Sequence, residues 1–397
     1  MIRSRALVAY SASVHCRHDP PRVGRSIVAI MSVSRTGCAP QGTHRACRIS
    51  CYSHAMAFRI PFRRVPGQTS HVLRSTALLA TLLTIGAAPA AAPADTATLE
   101  ALRAADLRLG AIGYRLATAN AALCSDVAPV PGIVVHAIDQ YAESEQPAAR
   151  TAFGFATGVA VEGVVPDSPA ARAGLHADDT IVSVNGQPVP VADGAGHVRT
   201  RDAMVALIDA QPVDRPLTMV VRRAGSDRSV AIAPSLGCRT LFELRVGTTM
   251  DAVADGRLVQ ISSAFLDKLA DPQLAVVVAH ELSHNILRHH ARLDAARVSR
   301  GLLRELGRNG RLHRATEDDA DRLGVHLLRN AGWDPQEAVR FWRGPGARID
   351  GGIFHSRTHS SASKRAQLIA AELAALPKGA PIPYRPPVLS TRDQPLQ

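Results

Sequence analysis

The chain has 397 residues, of which 46% are apolar and 20% charged, with 46 Lys and Arg against 34 Asp and Glu. That length holds two or three domains, and the apolar and charged fractions exclude a wholly disordered polypeptide. The formal charge of +12 points to a nucleic-acid partner only until it is located: residues 1–94 hold 12 Arg, no Lys and one acid (Asp19), whereas residues 95–397 hold 34 basic and 33 acidic side chains. A net of +1 over the folding part is no electrostatic footprint for DNA or RNA, so no nucleic-acid partner is expected.

Residues 1–55 carry Cys16, Cys38, Cys47 and Cys51, eight Arg and no sustained helical or strand period. They are read as a disordered upstream extension preceding the true start at Met56. From Met56, Arg59, Arg63, Arg64 and Arg74 precede an uncharged Ala/Leu run from Thr76 to Ala88, followed by the small-residue sites Ala88-Pro89-Ala90 and Ala90-Ala91-Ala92. This is the layout of a secretory signal peptide over 56–92 and implies a periplasmic or otherwise exported protein. Left uncleaved, the same segment would hold the protein at the membrane. Nothing downstream approaches 18 apolar residues, so no transmembrane segment is expected after cleavage.

In the remaining chain, Leu99, Leu102, Leu107, Ile112 and Leu116 recur at helical spacing, predicting an amphipathic helix over 97–123. A β-rich piece near 132–137 follows. Short Val/Ile runs at 157–165, 180–184, 217–221 and 229–232, separated by Gly, Pro and Asp, then mark a strand-dominated module over 151–236. From 237 the texture is helical. Asp271 and Pro272 read as N-cap and first residue of a buried helix, and further helices are expected at 291–307, 316–330 and 362–375. The Pro-rich residues 377–397 read as an extended or disordered tail. The expected organisation is a helical N-terminal part (95–150), the β-rich module, and a helical part to 376.

His280-Glu281-Leu282-Ser283-His284 lies within the buried helix. A spacing of four puts both imidazoles on one helix face, where they can share a Zn²⁺, and sets Glu281 beside the metal to take a proton from an activated water. Such a site needs a third protein ligand, and Glu317-Asp318-Asp319-Ala320-Asp321 opens the next amphipathic helix 33 residues later. Glu317 is the third-ligand candidate. Asp321, one turn on, is placed to accept a hydrogen bond from a ligand imidazole. His289 and His290 sit off the ligand face and read as helix-end residues.

HELSHN followed by EDDAD and, further on, THSSASKR resembles the M48 family of zinc metallopeptidases, over roughly 97–145 and 238–376. The resemblance implies one zinc per chain held by His280, His284 and Glu317, with Glu281 as general base. It also implies a His near the metal that donates to the oxyanion, His359 here, and an Arg six residues on, Arg365, supporting the ligands. Where the family usually has Pro after that His, this chain has Ser360. The segment GVVPDSPAARAGLHADDTIVSVNGQPV is similar to a bacterial PDZ domain. That implies a bound C-terminal peptide, with Thr157, Gly158 and Val159 near its carboxylate.

The expected fold is therefore α+β, a mainly helical zincin-like peptidase domain with an inserted β-rich PDZ domain. Cys124 and Cys238 bracket the insert, and insert ends lie close together in a host, so the two are expected to form a disulfide in an oxidising compartment. The functional expectation is a zinc endopeptidase acting on unfolded or mislocalised envelope polypeptides. The rival is a PDZ-based binding or chaperone-like protein with a non-catalytic zinc.

Overall fold

The computed structural model describes residues 95–298, 307–349 and 360–396. The upstream extension, the signal peptide and His359 lie outside the described residues.

Helix α1 (Thr96–Ala119) starts where the Asp95 side chain accepts from the Thr98 amide, and it buries Leu99, Leu109, Ile112 and Leu116. The predicted helix over 97–123 is broken at Asn120, whose side-chain amide donates to the carbonyls of Leu116 and Leu327. A short 3-10 turn, Ala121–Leu123, follows.

Strands β1 (Val127–Val130) and β2 (Ile133–Ala137) are separated by Gly132 at φ +84°, where a Cβ would meet Ser168 at 2.3 Å. Only glycine takes that turn so close to a neighbouring chain segment. Then come α2 (Gln146–Phe153), β3 (Val159–Val164), α3 (Pro169–Arg172), β4 (Thr180–Val184), β5 (Gln187–Pro188), α4 (Arg199–Asp209), β6 (Leu217–Arg223) and β7 (Ser226–Ile232). They form an antiparallel sheet in the order β2-β3-β4-β6-β7, with β5 on β4. Alternating residues of these strands, among them Val159, Val161, Ile181, Met219 and Ile232, pack with Met204 and Ile208 of α4 into a separate core. The module therefore begins at Ile133, not at 151: β2 is a strand of the same sheet, in register Ile133↔Val164 to Ala137↔Val159.

Strand β8 (Ser235–Cys238) returns antiparallel to β1, pairing Val127 with Cys238. The chain thus leaves for the module and comes back through one two-stranded ribbon. Beside it, Cys124 and Cys238 stand in bridging geometry with Cα atoms 5.5 Å apart.

The second part opens with a three-stranded sheet of β9 (Leu241–Arg245), β10 (Ala252–Ala254) and β11 (Leu258–Ser262), ordered β10-β11-β9. Helices α5 (Ser263–Lys268), α6 (Asp271–Ile286), α7 (His289–Ala295), α8 (Gly307–Asn330), α9 (Gln336–Arg343), α10 (Pro345–Ile349) and α11 (Ala362–Ala374) complete it. Their core, with α1, includes Leu116, Phe265, Leu274, Leu282, Leu323, Phe341 and Ile369. Arg201 of α4 donates to Glu243 of β9, tying the module to this part.

Two sequence expectations shift. The cap of α6 is Ala270, whose amide donates to the Gln273 side chain at 3.4 Å; Asp271 instead takes an ion pair from Arg108 at 2.6 Å. The tail is packed rather than loose: a 3-10 helix at Pro387–Asp393 buries Val388 and Leu389, and Arg392 donates to the Leu123 carbonyl. Its prolines set extended segments whose apolar residues still find the core.

Candidate metal centre

Helix α6 carries the motif because LAVVVA makes its first turns apolar on every face, and a helix buried all round delivers its polar residues to the interior. Ala275, Val278, Ala279 and Leu282 are fully buried, and the motif follows in the next turns, with His280 and Glu281 buried and His284 half-buried. Helix α8 packs along α6 and brings Glu317 and Asp321 to the same side.

Nε2 of His280 lies 3.2 Å from Nε2 of His284 and 3.2 Å from Oε2 of Glu317. Oε1 of Glu317 is 3.6 Å from His284 Nε2. Donors around a tetrahedral zinc at about 2.0–2.1 Å stand roughly 3.3 Å apart, so this donor set has the spacing and chemistry the ion requires. One ligand atom from each of the three residues falls within 4.8 Å of the others.

The His280 imidazole is held from behind. His280 Nδ1 faces Asp321 Oδ1 at 3.1 Å. Asp321 receives two hydrogen bonds of 2.6 Å from Nε and Nη2 of Arg365, and the Arg365 guanidinium stacks 3.6 Å over the Trp342 ring. Asp321 and Arg365 are both buried. Burial alone would raise the Asp321 carboxyl, but the Arg365 charge and the hydrogen bonds from His280 and Arg365 hold it at about 2. Without metal, burial and Arg365 work against protonation of His280, yet the hydrogen bonds to Asp321 and Glu317 carry it up to about 9. A cation is wanted at this point, and a metal ion would replace the proton.

Glu281 borders a cavity of about 10 Å³, about one water in size, with Val276, Val277, His280, Phe341, Trp342 and Arg365.

The structure brings together His280, Glu281, His284, Glu317, Asp321 and Arg365. His359 lies outside the described residues; its neighbour Ser360 donates to Asp318 at 3.2 Å. Thr157, Gly158 and Val159 do not form a free peptide-binding edge. Val159 opens β3, which has β2 on one side and β4 on the other, and the Gly158 carbonyl accepts from Ile138. The Thr157 hydroxyl is turned to the Val159 and Ile181 carbonyls. The outer strand on that side is β2, with α4 alongside.

Sequence reasoning missed His289. It read the residue as the end of α6, but that helix stops at Ile286, Arg288 turns left-handed at φ +55°, and His289 begins α7. The turn folds its ring back onto His284, Nδ1 to Nδ1 at 3.0 Å. A second donor cluster, Asp139, Asp193 and His197, also falls within 4.8 Å. There Nη2 of Arg199 stands 2.8 Å from His197 Nε2 and already supplies a cation.

Comparison with known proteins agrees with this layout. Residues 161–223 match the PDZ domain model and residues 242–303 the model of peptidase family M48. The chain therefore joins a PDZ domain to an M48 peptidase region, a metallopeptidase at the level of the family. No curated protein matches. Among solved structures, the HtrA3 PDZ domain bound to a phage-derived ligand (FGRWV) is 27% identical, over 28% of this chain and 88% of that one, with a TM-score of 0.21. The HtrA-type protease AlgW with decapeptide is 26% identical over 28% of this chain, with a TM-score of 0.21, and the serine endoprotease from Yersinia pestis 22% identical over 28%, with a TM-score of 0.19. The matched regions span only 30% and 29% of those two proteases.

Proposed function

We propose that this protein is an exported zinc endopeptidase that hydrolyses peptide bonds of unfolded or mislocalised envelope polypeptides. The observation that carries the reading is the convergence of His280, His284 and Glu317 donor atoms, with Glu281 beside the two histidines on α6. A zinc ion held by these three side chains would act as a Lewis acid toward a scissile carbonyl and make a water acidic enough to attack it.

The chain's own residues divide the remaining work. Asp321 accepts from His280 Nδ1 and fixes that ring with Nε2 toward the site, while Arg365 fixes Asp321. The Glu281 carboxylate takes the proton from the attacking water and passes it to the leaving amine. His359 is the proposed donor to the oxyanion. Peptide recognition is assigned to the PDZ domain, where an extended segment would add to the outer edge of β2 beside α4. Among the described residues no helix is long and apolar enough to cross a membrane. The periplasmic or exported location rests on the segment 56–92.

Glu281→Gln tests the reading. It should keep a full complement of zinc while losing at least about 10²-fold in casein hydrolysis. A variant that keeps both metal and hydrolysis would favour a binding protein with a non-catalytic zinc.

A further inference from the structure

We infer that His289 is a positioning residue, which fixes the tautomer and orientation of His284 by accepting a hydrogen bond from its Nδ1. The inference rests on the proposed ligand set. It concerns a residue that the motif does not include and that helical periodicity places elsewhere.

The argument begins with the two ligand rings. His280 and His284 both turn Nε2 toward Glu317, at 3.2 and 3.6 Å. A neutral imidazole that offers Nε2 to a metal carries its proton on Nδ1, and that proton needs an acceptor, usually a carboxylate or carbonyl. For His280 the acceptor is Asp321, at 3.1 Å. For His284 the atom facing Nδ1 is Nδ1 of His289, at 3.0 Å, with the two rings 76° apart.

A nitrogen can accept there only if His289 is neutral and keeps its own proton on Nε2. At 3.0 Å one of the two Nδ1 atoms must accept, and His284, whose Nε2 is turned to Glu317, is the ring placed to donate. His289 is 1% exposed, and its Nε2 has no hydrogen-bond partner among the described residues. The left-handed turn at Arg288 is what makes the contact. On an uninterrupted helix, residues five apart point about 140° away from each other.

Two consequences separate this role from plain packing. The acceptor should matter to the metal, and the volume of the side chain should matter less. His289→Phe keeps a planar ring and removes the acceptor. His289→Asn restores an acceptor oxygen near the place of Nδ1 in a smaller side chain. Zinc affinity is read on metal-depleted full-length exported protein by competition with a chromophoric chelator, alongside a thermal melt without metal. The Phe variant should bind zinc about 10–100-fold more weakly, and the Asn variant should recover most of that loss. If wild type binds no zinc, the ligand reading itself fails. If wild type binds zinc and the Phe variant binds it within twofold, or if both variants lose affinity equally, the positioning role is overturned. Should the Phe variant not fold, ring ¹⁵N shifts of zinc-loaded wild type decide. They must show His284 protonated on Nδ1 and His289 on Nε2, and His289 protonated on Nδ1 refutes the inference.

Discussion

Replacing Arg365 by Met keeps an unbranched apolar stem while deleting the guanidinium and its charge. In the folded protein this strands the Asp321 carboxylate, 4% exposed, which loses two hydrogen bonds of 2.6 Å and keeps only His280 at 3.1 Å. Removing one partner of a buried ion pair costs about 3–5 kcal/mol, because the remaining charge is left without compensation. The lost stacking on Trp342 adds up to about 2 kcal/mol. Urea unfolding of the chelated protein, followed by far-UV circular dichroism, measures the sum. Arg365→Met combined with Asp321→Leu should be less destabilised than the single variant, since no charge is then stranded. The acid limb gives a second check. Asp321 is depressed to about 2 in the fold, so its contribution is fully present above about pH 4 and is lost as pH falls through about 2. That limb should vanish in the double variant, which has no carboxyl there. A single variant within about 1 kcal/mol of wild type, or a double variant less stable than the single, would refute the reasoning.

The purified protein should show no free thiol at Cys124 or Cys238 by Ellman titration until it is reduced. Opening a bridge across the 113 intervening residues should cost about 4–5 kcal/mol. Removing residues 385–397 exposes the contacts of Val388 and Leu389 and should lower stability by up to roughly 6 kcal/mol, visible as a lower melting temperature; an unchanged melt would mean the tail is dispensable. Deleting residues 1–55 should leave export and activity unchanged, with mass spectrometry finding an N-terminus between Ala91 and Asp95. An N-terminus before Met56 would contradict the reading of the extension.

Much of the centre was legible because chemistry there is written at fixed local spacing. Two imidazoles four residues apart on an apolar helix share a face wherever that helix lies, and Glu317 and Asp321 share one for the same reason. The return of the chain beside Cys124 followed from the topology of an insert. What stayed hidden depends on backbone turns and on pairing across the fold. His289 is re-aimed by a left-handed residue at Arg288, a non-glycine position that gives no local signal. The span 132–137 belongs to the PDZ sheet through its pairing with β3, and alternation alone cannot say which sheet a strand joins. For the same reason the sequence could not say that β2, rather than β3, is the outer strand beside Thr157–Val159. The tail looked loose because its prolines outweighed the two apolar residues that anchor it.

The most direct test of the central claim is zinc K-edge absorption spectroscopy of the protein as isolated. The account predicts one zinc per chain, with imidazole scattering from two histidines and carboxylate and solvent oxygens at about 2.0–2.2 Å. Sulfur scattering near about 2.3 Å, or a protein that purifies folded and without zinc and takes none up, would contradict it.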